Sequence, residues 1–82
     1  MLTYSKYNNI SFANWIKERA KENPSEFLTA MTYYDDDTEV LYLDLYGNDD
    51  TILESFSYMD EEEITEDIAT ANDEFNVRII YL

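Results

Sequence analysis

The sequence has no cysteine and no histidine, one glycine and one proline among 82 residues. Without cysteine there is no disulfide and no thiolate metal site. Without histidine the commonest general base and the commonest transition-metal ligand are gone. So little glycine and proline, with 45% hydrophobic and 16% aromatic residues, argues against disorder, because the apolar mass is enough for a core. Residues 1–82 are expected to form one domain. A chain of this length buries only about 60% of its unfolded surface, so its stability margin is thin.

Bases are scarce and unevenly placed. Five Lys and Arg stand against nineteen Asp and Glu, a net charge of −14. Residues 1–21 hold Lys6, Lys17, Arg19 and Lys21 against Glu18 alone. Residues 22–77 hold eighteen acids and no base, and Arg78 follows. Charge of one sign over such a stretch destabilises a compact fold by self-repulsion. A small domain has little stability to give up, so the charge is expected to have a use. Such a protein does not bind nucleic acid or an anionic membrane; its partners are cations or basic protein surfaces. The opening MLTYSKYNNI lacks the apolar centre of a signal peptide, and no apolar run approaches the ~20 residues of a membrane span. A cytoplasmic location is therefore expected.

Periodicity outlines the elements. Leu2-Thr3-Tyr4 is compatible with a short strand. Ser11 is a good N-cap for a helix over 11–22, in which Phe12, Trp15, Ile16, Arg19 and Ala20 share one face; Asn23-Pro24 ends it. Phe27, Leu28 and Met31 suggest a short second helix over 25–32, and Tyr33 to Asp37 an exposed connection. From Glu39 to Tyr46 the chain alternates, with Leu41, Leu43 and Leu45 on one side and Val40, Tyr42, Asp44 and Tyr46 on the other. Gly47-Asn48-Asp49-Asp50 is a turn, and Thr51 to Tyr58 completes a hairpin. Asp60 caps a helix opening with Glu61, Glu62 and Glu63, whose buried stripe is Ile64, Ile68 and Ala71 and which ends at Asn72-Asp73. Residues 76–82 make a last strand. The predicted class is α+β: a three- to four-stranded antiparallel sheet with helices on one face. Its order, β-α-(α)-β-β-α-β, is that of the ferredoxin-like split βαβ arrangement.

Chemical motifs fail where they start. Asp35, Asp37 and Glu39 have the spacing that opens a calcium-binding EF-hand loop, but Val40 and Tyr46 occupy the positions of its glycine and its closing glutamate. Carboxylate pairs suited to acid–base work arise by chance among nineteen acids. No phosphate loop or nucleophile motif is present. The expectation is a protein that is not an enzyme, with no catalytic residue, no metal site and no cofactor.

The acid field is the main signal. Duplex DNA carries one charge per ~1.7 Å of axis, so eighteen charges correspond to roughly 30 Å of duplex, about the diameter of a globule this size. In the helix after Asp60, Glu62/Glu66 and Glu63/Asp67 are like-charge i, i+4 pairs that a base would have relieved. Tyrosines interleave with the acids, and Tyr42, Asp44 and Tyr46 share the sheet face opposite the leucines, either as an interface or packed internally. The expected partner-binding residues are Asp35, Asp36, Asp37, Tyr42, Asp44, Tyr46, Asp49, Asp50, Glu54, Glu62, Glu63, Glu66 and Asp67.

The run Lys6-Tyr7-Asn8-Asn9-Ile10-Ser11-Phe12-Ala13-Asn14-Trp15-Ile16 resembles the opening of ArdA-type antirestriction proteins, with Lys-Tyr-Asn followed by small residues and a Trp before an apolar residue. Asp44-Leu45-Tyr46-Gly47 is similar to that family's Asp-aromatic-Glu-Gly segment, and Glu54-Ser55-Phe56 to another stretch. The Lys6 to Trp15 spacing is one residue shorter than in the family, and Ile10 and Asn14 stand where glycines are usual. The family's chains are about twice as long, so the resemblance covers its N-terminal domain. It implies mimicry of duplex DNA toward type I restriction–modification enzymes and an origin in a phage or mobile element. It transfers no catalytic residue.

The expected function is that of an acidic nucleic-acid mimic that blocks the DNA- or RNA-binding surface of a bacterial host enzyme: a restriction enzyme, a CRISPR effector or another nuclease. The alternative is an immunity or antitoxin protein that neutralises a basic toxin or nuclease; a third reading is an acidic protein without mimicry. The oligomeric state is left open, a dimer included.

Overall fold

The computed structural model describes residues 10–24, 26–75 and 77–82. The suggested strand at Leu2-Thr3-Tyr4 and residues 6–9 of the family resemblance lie outside them. The elements run α1 (Phe12–Glu22), β1 (Phe27–Asp35), β2 (Val40–Tyr46), β3 (Ile52–Tyr58), α2 (Glu61–Glu74) and β4 (Arg78–Tyr81). The class is α+β, as the periodicity predicts.

Both helix starts follow from their caps. The Ser11 side chain accepts from the Asn14 amide and that of Asp60 from the Glu63 amide. Glu61, Glu62 and Glu63 fill the first turn of α2, where the helix dipole favours negative charge. Ile64, Ile68 and Ala71 are its buried stripe. The helix runs past Asn72-Asp73 to Glu74, because Asn72 is occupied elsewhere: its amide nitrogen donates to the Ile79 carbonyl at 3.2 Å and its carbonyl oxygen accepts from the Ile79 amide at 2.8 Å. That clasp fixes the last turns of α2 onto β4.

Several expectations are corrected. The helix suggested over 25–32 is not formed among its described residues, 26–32; β1 runs through Phe27–Asp35 and takes in Tyr33, Tyr34 and Asp35, which leaves the turn at 36–39. Phe27, Leu28 and Met31 fit a helical face, but Thr29, Thr32, Tyr33 and Tyr34 favour a pleated surface, and β1 pairs with both β2 and β4. The order among the described residues is therefore α-β-β-β-α-β, and the ferredoxin-like order is not formed there. The sheet is also mixed, not antiparallel. Its spatial order is β3-β2-β1-β4, with β1 and β4 parallel. The cause lies in α2. Its 14 residues span about 21 Å, roughly the length of a seven-residue strand. The helix carries the chain back to the starting end of the sheet before β4 begins.

The leucine face of β2 is buried as predicted. Leu43, Leu45, Leu28 and Phe56 are fully buried with Ile16 of α1 and Ile64 of α2. Phe12 and Trp15 meet the Phe56 ring edge-on, with centroids 5.2 and 5.9 Å apart. Trp15 is half-buried at the margin of this core. Both helices pack on this side of the sheet.

Candidate interaction surface

Strand alternation places Phe27, Thr29, Met31, Tyr33 and Asp35 of β1 on the side away from the helices. The register sets Tyr33 beside Tyr42, Met31 beside Asp44 and Thr29 beside Tyr46, and directly opposed residues share a face. No described element covers this face. Tyr33 is 58% exposed, Met31 46%, Ile80 45% and Phe27 41%. The Tyr33 and Tyr42 rings are stacked, 27° from parallel with centroids 6.5 Å apart. Tyr42, Asp44 and Tyr46 are half-buried here. Asp44 is held by the Ser55 hydroxyl, which donates to its Oδ1 at 2.6 Å. Asp35 accepts from the Asp37 amide at 3.0 Å, so the turn beyond β1 is tied to the strand's last side chain.

The expected binding residues do not form one surface. Asp35, Tyr42, Asp44 and Tyr46 belong to the open face. Asp36 and Asp37 are exposed in the β1–β2 turn, and Asp49 and Asp50 are exposed in the β2–β3 loop at the opposite end. Glu62 and Glu66 are exposed on α2, on the other layer, with Glu63 and Asp67 half-buried beside them. Asp67 accepts the Tyr58 hydroxyl at 2.7 Å, which pins α2 to β3. Glu54 is removed from the set: it is fully buried beside Leu45, and its carboxylate accepts the Ser55 amide at 3.1 Å. Regular alternation explains the placement: Tyr58, Phe56 and Glu54 oppose Leu41, Leu43 and Leu45 on the covered face, and the register shifts only beyond Glu54, where Ile52 opposes Tyr46. The sequence analysis does not reach Phe27, Met31 and Tyr33, because their apolar spacing also fits a helical face; the threonines and tyrosines between 29 and 34 are the signal for a strand.

Charge is nevertheless sorted along the strands. Tyr34, Leu41 and Tyr58 line up across β1, β2 and β3, so the β1–β2 turn and the start of α2 lie at one end of the sheet. The Tyr81 hydroxyl reaches Glu61 at 3.2 Å from the same end of β4. Asp35, Asp36, Asp37 and Glu39 thus gather with Asp60, Glu61, Glu62 and Glu63. The turn also holds Glu39 in the left-handed region, φ 58°, which is strained for a residue with a Cβ. Arg78 lies at the other end, beside Phe27, and Arg19 reaches Glu26 just before β1, through Nε at 2.7 Å and Nη2 at 2.8 Å. That two-pronged bond outweighs burial and raises the Arg19 pKa.

Two other groups titrate away from their ordinary values. Bonds from the Thr51 hydroxyl and amide lower the Asp49 pKa, while burial raises that of Tyr81, with Glu61 adding to it. Among the described residues no three carboxylates converge to hold a metal ion, and no helix is long and apolar enough to cross a membrane. A shallow depression lined by Ile10, Trp15, Glu18, Arg19 and Glu22 lies beside α1, but Arg19 is already engaged by Glu26 and stacks 5.8 Å over the Trp15 ring. In comparisons with protein-family models, curated proteins and solved structures, none matches the chain.

Proposed function

We propose that the protein is a cytoplasmic, non-enzymatic inhibitor that presents carboxylates in place of nucleic-acid phosphates and occupies the nucleic-acid-binding surface of a host defence enzyme. A restriction enzyme or a CRISPR effector is the favoured target, in keeping with the resemblance to ArdA-type proteins. The observation that supports this most is the distribution of charge: eight acids from two separate elements gather at one end of the sheet with no base there among the described residues, while Arg19 and Arg78 lie at the other end alongside Asp49 and Asp50. Of the eighteen acids in residues 22–77, Glu54 is buried and Glu26 is paired. Sixteen remain along a body whose longest dimension is 37 Å, against about 22 phosphates on the same length of duplex. An enzyme that grips phosphates with Lys and Arg meets comparable charge here. The immunity reading lacks this support, because a single-partner inhibitor needs a shape-specific anchor more than an extended field.

The test is capture of partners from bacterial lysate on immobilised protein, with and without duplex DNA and single-stranded RNA as competitors. Release of the captured protein by nucleic acid is expected, together with a steep fall in affinity as salt rises. A captured partner that nucleic acid does not displace would overturn mimicry in favour of the immunity reading.

A further inference from the structure

We propose that the open sheet face is the docking surface, and that its occupant is an arginine-bearing protein surface. Guanidinium groups stack on the Tyr33–Tyr42 ring pair and donate to Asp35 and Asp44. This rests on the inhibitor reading above and names its central contact and the partner's chemistry. Exposed Phe27, Met31, Tyr33 and Ile80 share one face around Thr29, and exposed apolar side chains gathered on one face mark an interaction site. Its make-up is specific. Tyrosine and methionine are enriched where proteins meet, and a tyrosine face attracts a cation above it. Arginine suits such a site better than lysine, because its planar fork both stacks on a ring and bonds a carboxylate in two places. Tyr33 and Asp35 stand on the same strand face, two residues apart, and Tyr42 and Asp44 repeat that spacing on the neighbouring strand. Ring and carboxylate are thus offered side by side twice.

Charge and area select this occupant over a second copy of the chain. Strands of nine, seven, seven and four residues cover about 430 Å² in plan, roughly half of what each partner contributes to a standard stable interface. The rest of any contact must come from the margins, which are acidic at both ends: Asp36, Asp37 and Glu39 at one, Asp49 and Asp50 at the other. A second copy carrying −14 would bring like charge against those margins. A basic surface turns the same margins into attraction. Arg78, at the β4 margin, is the exception on this face.

The test compares an arginine nonapeptide with a lysine nonapeptide, equal in charge, at physiological salt. Affinities are measured for the wild type, for Y33A, for D35N and for an E62Q/E66Q variant on α2, and resonances of the Met31 methyl and tyrosine rings are followed by NMR. Tyr33 is exposed enough that its truncation leaves the fold intact, and D35N provides a second, milder variant. The arginine peptide is expected to bind about tenfold more tightly and to shift the Met31 and Tyr33 resonances. Y33A should remove most of that preference, D35N should reduce it, and the α2 variant should keep it. Equal affinities, or shifts confined to α2, would overturn the inference while leaving an acid-based inhibitor standing. Sedimentation as a dimer with the open face protected would overturn it in favour of a second copy. Failure of the inhibitor reading shows separately, as a captured partner that nucleic acid cannot displace.

Discussion

The two faces of this sheet are built from the same strands and fare differently. On one, Leu43, Leu45 and Phe56 are fully buried under two helices; on the other, Tyr33 and Met31 stand about half exposed. Hydrophobicity alone does not separate them, since both faces carry large apolar side chains. Polar punctuation does. Thr29, Asp44 and Ser57 break the open face, whereas the covered face admits one carboxylate, Glu54, which the fold supplies with a partner. Stability resides on the covered face, and recognition is proposed for the open one. Substitutions can therefore separate the two.

The largest effect is expected in the core. Phe56→Ala removes the ring on which Phe12 and Trp15 converge and should cost about 3–5 kcal/mol, enough to unfold much of a marginal domain. Tyr33→Ala, on the opposite face two strands away, should cost under ~1 kcal/mol in the same urea titration. Similar losses for both would dissolve the distinction between the faces.

Next is Glu54, an acid that belongs with the core despite its charge. Glu54→Ala should cost about 2 kcal/mol, the scale of a lost bond to a charged group in a buried setting. The folded fraction should bind partners as the wild type does. A variant as stable as the wild type but impaired in binding would return Glu54 to the interface.

A smaller gain is expected in the β1–β2 turn. Glu39→Gly relieves the left-handed conformation but adds unfolded-state entropy, so chemical denaturation should show a net stabilisation of roughly 0.5 kcal/mol. No gain, or a loss, would mean that the Glu39 side chain supports the turn.

The smallest effect is on the alkaline side. The Tyr81 pKa is raised in the folded state, so the folded protein keeps that proton longer than the unfolded chain. Its contribution is fully present below the unfolded value near 10 and is lost as pH rises through the folded value. Melting temperature should fall slightly more steeply in this range for the wild type than for Tyr81→Phe. Parallel curves would remove Tyr81 from the pH response.

Much of this was legible in the sequence because it is local. Caps at Ser11 and Asp60 and the stripe Ile64, Ile68, Ala71 are set within a few residues, as is the alternation around Leu43. The segment from Phe27 to Tyr34 was ambiguous, since its apolar spacing suits a helix while its threonines and tyrosines suit a strand, and pairing with β2 and β4 decides between them. The parallel β4 depends on where α2 delivers the chain, a matter of lengths. The burial of Glu54 follows from its alternation with Phe56 and Tyr58 opposite the leucines, but its charge makes it read as a surface acid. The acid count was plain from the start; its division between an acid-only end, an open face and a buried site required the topology.

The most direct test of the proposed function is the affinity of the captured partner at two salt concentrations, for the wild type, single charge-neutralised variants and a clustered variant. The single variants are Asp36→Asn and Glu62→Gln; the clustered one neutralises Asp36, Asp37, Glu61 and Glu62 together. Mimicry requires each single change to cost no more than ~1 kcal/mol. It also requires the cluster to lose far more and the wild type to weaken steeply with salt, as protein–DNA binding does. An affinity indifferent to salt and to the cluster, but lost by ~2 kcal/mol or more on truncating Tyr42 or Tyr46 alone, would contradict it and leave an immunity protein with a shape-specific anchor.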